Sequence, residues 1–180
     1  MNIRLSGALV ALGLSLAVPA FAVVTVGGAP MYPSKDIVDN AVNSADHTTL
    51  VAAVKAAGLV DTLKGPGPFT VFAPVNAAFA ALPPGTVDTL LKPENKGQLV
   101  KVLTLHVVPG KIDQAALKQM IMQGHGMAKL KTVEGETLTA TMIAGVPTIS
   151  DQKGDMAHIT IPDVYQSNGV IQVVDRVLLP

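Results

Sequence analysis

Residues 69–110 decide the fold: they begin Phe69-Thr70-Val71-Phe72-Ala73-Pro74-Val75-Asn76-Ala77-Ala78-Phe79 and end His106-Val107-Val108-Pro109-Gly110. Aromatic and β-branched residues predict a short strand over residues 69–73. Pro74 ends this strand because proline cannot donate a hydrogen bond to a sheet ladder. Asn76 is a favourable N-cap for a short helix that follows. The end of the stretch predicts a helix that runs into a Pro109-Gly110 turn.

Around this stretch the period of apolar residues changes along the chain. Helical spacing prevails up to about residue 121, and the predicted N-caps are Ser34, Asp46, Thr86 and Asp113, with a further helix from about Asn95. Gly58 is predicted to end the helix that Asp46 begins. From Lys129 the pattern alternates, which predicts strands near residues 137–142, 146–149 and 157–161. Asn168-Gly169 is a strong hairpin-turn signal, and residues 170–179 predict a central strand, apolar on both faces.

The order of these elements indicates the fold class. Helices come first and most strands come later, so the chain lacks the β-α alternation of a doubly wound sheet. We therefore expect an α+β fold with segregated layers.

Two blocks of the sequence resemble the signatures of a known family, the fasciclin-like (FAS1) domain. The first is the Phe-Thr-Val-Phe-Ala-Pro-x-Asn-x-Ala-Phe block, and the second is the ending Asn168-Gly169-Val170-Ile171-Gln172-Val173-Val174-Asp175-Arg176-Val177-Leu178-Leu179-Pro180. The resemblance covers residues 33–180 and implies a compact β-sandwich or wedge with several helices packed on it. The signature positions are Phe69, Phe72, Pro74, Asn76, Phe79, Pro109, Gly110, Asn168 and Gly169.

The N-terminus has the pattern of a signal peptide. Arg4 precedes an apolar run, residues 5–18, and Ala20-Phe21-Ala22 is a small-residue cleavage site. We expect a signal peptide over residues 1–22, a flexible leader over residues 23–32 and a single domain over residues 33–180. The alternative, an uncleaved anchor helix, is disfavoured because the run is short for a membrane span. The expected product is secreted or periplasmic, with no stable membrane anchor after signal removal.

Composition excludes several kinds of function. The chain has 13 basic and 13 acidic residues, without a block of like charge, so nucleic acid and anionic lipid are poor candidate partners. It has no cysteine, which removes disulfides, thiol catalysis and thiolate metal sites.

Catalytic motifs are missing as well. No serine lies in a nucleophile-elbow pattern, although a triad assembled from distant residues stays open because triads are defined by geometry. Glu134 and Glu136 suit a solvated turn better than an acid–base pair. We expect no enzyme activity and no cofactor.

One cluster has a soft-metal composition: Met120, Met122, His125 and Met127. Thioether and imidazole groups together suit Cu(I). The favoured alternative is that Met120 packs in the core and the rest forms a glycine-rich loop, because the spacing matches no strict ligand template. We therefore predict no metal site here.

The resemblance implies a function in adhesion: an exported, non-enzymatic module that binds a cell-surface or extracellular-matrix protein or carbohydrate. The partner contacts of animal members of the family fall here on Leu105-His106, where those members have a Tyr-His pair, and on Asp163-Val164, where they have an Asp-Ile pair, beside Tyr165. Gln172 occupies a place where the family usually has histidine. The rival interpretation is a periplasmic metal- or small-ligand-binding protein.

The residues themselves give two further expectations about these positions. His106 lies on an apolar helix face, so a half-buried histidine that holds the following turn is favoured over a binding role. Residues 163–165 are predicted to leave the sheet in a loop, because Pro162 limits ladder pairing. There Asp163 and Tyr165 would contact a partner and contribute little to stability. The alternative is that Val164 plugs the sheet edge and Tyr165 covers it.

Overall fold

The computed structural model describes residues 22–180, so the predicted signal segment lies outside the described residues except for Ala22. The strands are β1 (Val24–Val26), β2 (Ala29–Met31), β3 (Phe69–Pro74), β4 (Val107–Pro109), β5 (Met127–Lys131), β6 (Thr137–Ile143), β7 (Val146–Ser150), β8 (Met156–Gln166) and β9 (Gly169–Val174). The α-helices are α1 (Ile37–Ala41), α2 (Thr48–Ala57), α3 (Val60–Leu63), α4 (Asn76–Ala80), α5 (Thr86–Leu90), α6 (Lys96–Leu105) and α7 (Gln114–Gln123). Short 3-10 turns span Ala45–His47 and Pro93–Asn95.

Seven strands form one mixed sheet in the order β4-β3-β9-β8-β7-β6-β5. β3 and β9 run parallel, and the other neighbours are antiparallel. The two ends of the sheet approach each other, because the Val133 N–H donates to the Val107 carbonyl at 2.8 Å. The sheet is thus a nearly closed barrel with helices on it, which confirms the predicted α+β class.

Two apolar clusters lie on either side of β3 and β9. One fills the space between the sheet and helices α1, α2 and α6, with Val71 and Ile171 among its members. The other fills the barrel interior, where Phe72 and Val174 meet Leu117 and Ile121 of α7. β9 lies between β3 and β8 and all of its residues are buried, so the predicted central strand is confirmed. It ends at Val174 rather than at residue 179, and Leu178 enters the barrel core from an irregular tail.

The expected flexible leader is wrong for residues 24–31, which form the hairpin of β1 and β2. Val26 and Met31 are each 3 % exposed and belong to the helix-side core. The turn is attached to the domain because the Gly27 carbonyl accepts a hydrogen bond from the Ala45 N–H at 3.2 Å. Gly27 has φ 58°, and a Cβ there would lie 2.5 Å from Ser44 Oγ, so the close approach requires glycine.

Several predicted helix caps are placed differently. Asp36, not Ser34, caps α1 through a 2.8 Å hydrogen bond from the Asp39 N–H. Asp46 lies inside a 3-10 turn, and Thr86 is the first residue of α5 with Gly85 before it. Asp113 caps α7 by accepting from the Ala116 N–H at 2.8 Å, and Gly58 ends α2 in the left-handed region, as predicted.

Asn76 also differs from its predicted role. It is the first residue of α4, and its side chain does not cap that helix. Its Oδ1 accepts from the Thr49 N–H at 3.0 Å, at the start of α2, and its amide donates to the Ala45 carbonyl at 2.8 Å. This signature residue therefore caps a neighbouring helix and makes contacts 27 and 31 residues away in the sequence.

Asn168 is a second such connection. The turn between β8 and β9 consists of Ser167 and Asn168, and Gly169 begins β9, one position earlier than the Asn-Gly signal predicts. The Asn168 amide donates to the carbonyls of Leu63 at 2.7 Å and Gly65 at 3.0 Å, while its Oδ1 accepts from the Ile37 N–H at 3.1 Å. A Cβ at Gly169 would overlap the Phe69 carbonyl oxygen, which explains the glycine.

The segment after α6, which the sequence predicts to be a turn, forms a strand instead. Val107–Pro109 forms β4, which pairs antiparallel with β3. Within residues 22–180 no helix has the length and apolar character needed to cross a membrane.

We predict that Phe72→Ala lowers the free energy of unfolding by about 3–5 kcal/mol, because Phe72 is 1 % exposed inside the barrel. Chemical denaturation measures the change. Phe69→Ala is the matched control and should cost less, since Phe69 is only half-buried at the other face of β3. A loss below about 1 kcal/mol for Phe72→Ala would contradict the barrel packing.

Candidate functional site

His106 follows the last residue of α6 and is 3 % exposed. Its Nδ1 lies 2.7 Å from the Val102 carbonyl, and its Nε2 accepts a hydrogen bond from the Leu178 N–H at 3.0 Å. Its own carbonyl accepts from the Phe72 N–H at 2.8 Å. The residue therefore joins α6, β3 and the C-terminal tail, and we call this arrangement the His106 junction.

The geometry fixes the protonation state of this imidazole. Nε2 must carry a lone pair to accept from Leu178, so the single ring proton is on Nδ1 and donates to Val102. Burial lowers the pKa of His106, which agrees with a neutral ring. These contacts describe the structural role that the sequence favours for His106. The residue holds the C-terminal tail and β3, however, rather than the turn after α6.

Three of the side chains expected to contact a partner are in the interior. Leu105 is 0 % exposed, His106 3 % and Val164 1 %. The predicted loop at residues 163–165 is wrong, because β8 continues through Pro162 to Gln166. A bulge between Ile161 and Val164 absorbs the proline, and it turns Val164 into the helix-side core. These three side chains have no surface to offer a partner in this fold.

Asp163 lies in the bulge with φ 59° and is half-buried. Its Oδ1 accepts from the Gln114 N–H at 2.6 Å, at the start of α7, and from Gln172 Nε2 at 3.2 Å. Its backbone N–H donates to Gln172 Oε1 at 3.1 Å, and Gln172 Nε2 also reaches the Ile112 carbonyl at 3.1 Å. Asp163 and Asp113 together place two carboxylates at the positive end of α7, where negative charge stabilises a helix.

Tyr165 is partly exposed and is held from two sides. Its hydroxyl donates to Asp113 Oδ2 at 3.3 Å, and Lys111 Nζ lies 4.7 Å from the ring centroid. Burial, with the carboxylates of Asp163 and Asp113 nearby, raises the pKa of the Tyr165 phenol. We call Lys111, Asp113, Asp163 and Tyr165 the Tyr165 surface. Sequence reasoning singled out Asp163 and Tyr165 but missed the other two, which only the bulge and α7 bring beside them.

A serine–histidine pair that no sequence motif predicts lies on the helix side of the sheet. Ser44 Oγ is 2.9 Å from His47 Nδ1, and His47 Nε2 is 3.4 Å from the Ala73 carbonyl. A proton on Nε2, donated to Ala73, leaves Nδ1 to accept from the serine hydroxyl. Burial lowers the pKa of His47. With Ser44 2 % and His47 3 % exposed, the pair ties the 3-10 turn to β3 under the N-terminal hairpin.

The helix-side core also contains an apolar cavity of about 80 Å³. Aliphatic side chains of the helices and the sheet line most of it, including Val38, Leu50, Val54, Ile171 and Val173. Apolar cavities of this kind accept small apolar molecules rather than water.

The methionine cluster is divided between core and surface. Met120 packs against the barrel core, whereas Met122 is 72 % and Met127 49 % exposed. Over residues 22–180, no group of three or more histidine or carboxylate side chains has the arrangement of a metal site. The absence of a high-affinity copper site in this segment stays a prediction.

Comparisons with known proteins agree with the observed fold. The family model described as Fasciclin domain matches residues 45–180. Protein sll1483 of Synechocystis sp. is 49 % identical over 144 residues, which are 80 % of this chain and 73 % of that protein. Cell surface glycolipoprotein MPB83 of Mycobacterium bovis is 34 % identical over 122 residues, 68 % of this chain and 48 % of that protein. The solved FAS1 domain pair from the insect cell adhesion molecule Fasciclin I superposes with a TM-score of 0.72 at 19 % identity, over 81 % of this chain and 51 % of that one.

We predict that His106→Ala lowers the free energy of unfolding by about 1–3 kcal/mol at neutral pH, because the Leu178 N–H loses its partner in the interior. Chemical denaturation of Lys101→Ala, whose side chain is exposed on α6, serves as the control and should change stability by about 0.5 kcal/mol or less.

The difference between wild type and His106→Ala should shrink as the pH falls. The pKa of His106 is lowered in the folded state, so above the ordinary histidine pKa of about 6.5 its contribution is complete. Below that pH the unfolded chain binds a proton at this histidine that the folded chain does not bind. The contribution of His106 to stability is therefore lost as the pH falls towards the folded-state pKa. A difference that stays constant from neutral pH to about pH 5 would contradict the neutral ring.

Asp163→Ala should also destabilise the protein, by about 1–3 kcal/mol, because the start of α7 and Gln172 lose a charged acceptor. Asp163→Asn should recover part of this loss, since asparagine keeps an acceptor and tolerates the positive φ. Asp155→Ala, at an exposed carboxylate, is the control in the same thermal and chemical melts. An unchanged stability for Asp163→Ala would show that the carboxylate is free for a partner, as the sequence predicts.

Proposed function

The chain belongs to the fasciclin domain family, and from that premise we propose that it is an exported, non-enzymatic interaction module that binds a cell-surface or extracellular-matrix molecule. Two relatives support this direction by name, since one is a cell surface glycolipoprotein and the other an insect cell adhesion molecule. The signal-peptide pattern of residues 1–22 supports a secreted or periplasmic location.

The observation that carries the proposal is the Tyr165 surface. A partly exposed tyrosine whose ring is fixed by a lysine and whose hydroxyl is fixed by a carboxylate loses little conformational entropy on binding. Tyrosine is also a preferred anchor of interfaces, because it offers a large apolar ring with a polar tip. Leu105, His106 and Val164 are left out of the proposed surface because they are buried.

The chemistry of this surface suits a polar partner with an apolar or planar element. Lys111 and the carboxylates of Asp113 and Asp163 present both signs of charge around one aromatic ring. Such a group can stack on a sugar ring or receive a side chain of a protein, so the partner class is a surface protein or a carbohydrate.

A second candidate function is the binding of a small apolar ligand in the helix-side cavity. The cavity of about 80 Å³ and its aliphatic lining favour it. Release of a defined small molecule when the exported protein is denatured would distinguish this function from adhesion.

We predict that Tyr165→Ala weakens binding to the molecule captured from cell-envelope or matrix extracts at least tenfold, roughly 1.4 kcal/mol. Tyr32→Ala is a matched control, because Tyr32 is 41 % exposed and also has a lysine amine, that of Lys35, 5.2 Å from its ring centroid. Affinities of both variants are measured with the captured molecule before and after removal of its glycans, which separates protein from carbohydrate recognition. Equal affinity of Tyr165→Ala and wild type would remove this surface from the proposal.

A further inference from the structure

The tip of the hairpin formed by β6 and β7 is apolar and exposed. Residues 142–147 read Met-Ile-Ala-Gly-Val-Pro and contain no polar side chain. Met142 is 36 %, Ile143 40 % and Val146 38 % exposed. The turn residues Ala144 and Gly145, with φ 49° and 81°, are exposed between them.

A second exposed segment adjoins this tip. α7 ends at residue 123, and residues 124–126 turn the chain into β5, whose Met127 pairs with Thr141 of β6. Met122 and Met127 are 72 % and 49 % exposed at the two sides of that turn. We call Met122, Met127, Met142, Ile143 and Val146 the apolar tip; they are half of the ten large hydrophobic residues found exposed among residues 22–180.

The charged side chains on the elements that form the apolar tip have one sign. Residues 137–150 contain no charged side chain, and residues 114–131 contain Lys118, Lys129 and Lys131 but no aspartate or glutamate. Lys129 and Lys131 alternate with buried residues on β5, so they share a sheet face with Met127. The balanced charge of the whole chain conceals this local excess of positive charge.

We propose that the apolar tip is a membrane-contact site that inserts shallowly into an anionic lipid surface. Clusters of exposed apolar side chains mark interaction sites. Apolar side chains flanked by lysines match the interface of an anionic bilayer, where the former enter the acyl boundary and the latter remain among the headgroups. The hairpin end can approach that zone because Ile143 and Val146 pair with each other on the two sides of the turn.

The shape of the site favours lipid over a protein groove. The five side chains flank two turns of the chain, the hairpin turn between β6 and β7 and the turn between α7 and β5, and three of them are flexible methionines that adapt to a fluid surface. The site is separate from the Tyr165 surface, since α7, with its ten residues and a length of about 15 Å, has the Tyr165 surface at its start and Met122 near its end.

Co-sedimentation with vesicles tests the proposal. The protein is used as recovered after export, with its N-terminus determined, because the apolar segment of residues 5–18 would bind lipid by itself. We expect binding to vesicles of phosphatidylglycerol and phosphatidylcholine and at least tenfold weaker partition for Ile143→Ser with Val146→Ser. The control is Val42→Ser with Met156→Ser, which alters residues 47 % and 46 % exposed outside the tip and should bind like wild type. Lys118→Gln with Lys129→Gln should lower binding to the anionic mixture, and phosphatidylcholine alone should bind wild type more weakly.

A fluorescence measurement keeps the test independent of how the serine variant folds. The chain has no tryptophan, so Ile143→Trp introduces a single reporter at the tip and Met156→Trp a single reporter elsewhere. Anionic vesicles should shift the emission of Ile143→Trp to the blue and leave that of Met156→Trp in place. Absence of any vesicle binding by wild type, or equal shifts for both reporters, would overturn the proposal. So would a wild-type dimer, or a complex with a captured protein, that the serine variant dissociates without any lipid binding, because the tip would then be a protein interface.

Discussion

The His106 junction is the constraint on which much of the structure depends. One neutral imidazole donates to the end of α6 and accepts from the C-terminal tail, while its backbone accepts from β3. Through these contacts the helix layer, the first barrel strand and the last residues of the chain are placed relative to one another. Leu178, whose N–H is the donor to the ring, is fully buried in the barrel core, so the junction also closes that core.

Three other polar side chains repeat this principle: Asn168 and Gln172, which are buried, and Asn76, which is half-buried. Asn168 joins α1 and the end of α3 to the last hairpin, Asn76 joins α4 to α2, and Gln172 joins β9 to the bulge at Asp163. Each makes hydrogen bonds to backbone groups far away in sequence, and a buried side chain whose hydrogen bonds are all made specifies one arrangement of the segments it connects. A chain without cysteine relies on such connections and on its two apolar clusters.

The sequence predicted the fold class, β3, the central position of β9 and the Asp113 cap of α7, because these follow from local periodicity and propensity. It missed what depends on distant partners. Asn76 has the composition of a local cap but serves another helix, and residues 163–165 stay in the sheet because a bulge accommodates Pro162. The first hairpin was missed although Gly27 and Gly28 lie between two apolar segments, since strands of three residues give little periodic signal. For the candidate site, Asp163 and Tyr165 were found, but Lys111 and Asp113 join them only through the tertiary fold.

The central claim is that His106 is a neutral structural connector rather than a partner-binding residue. Nitrogen NMR of the histidine side chains in the folded protein tests it most directly, because it reports the tautomer and the titration of the ring. The account predicts that His106 carries its proton on Nδ1 and that the ring stays neutral below the ordinary histidine pKa of about 6.5. A proton on Nε2, or a ring that titrates at the ordinary value, would contradict it.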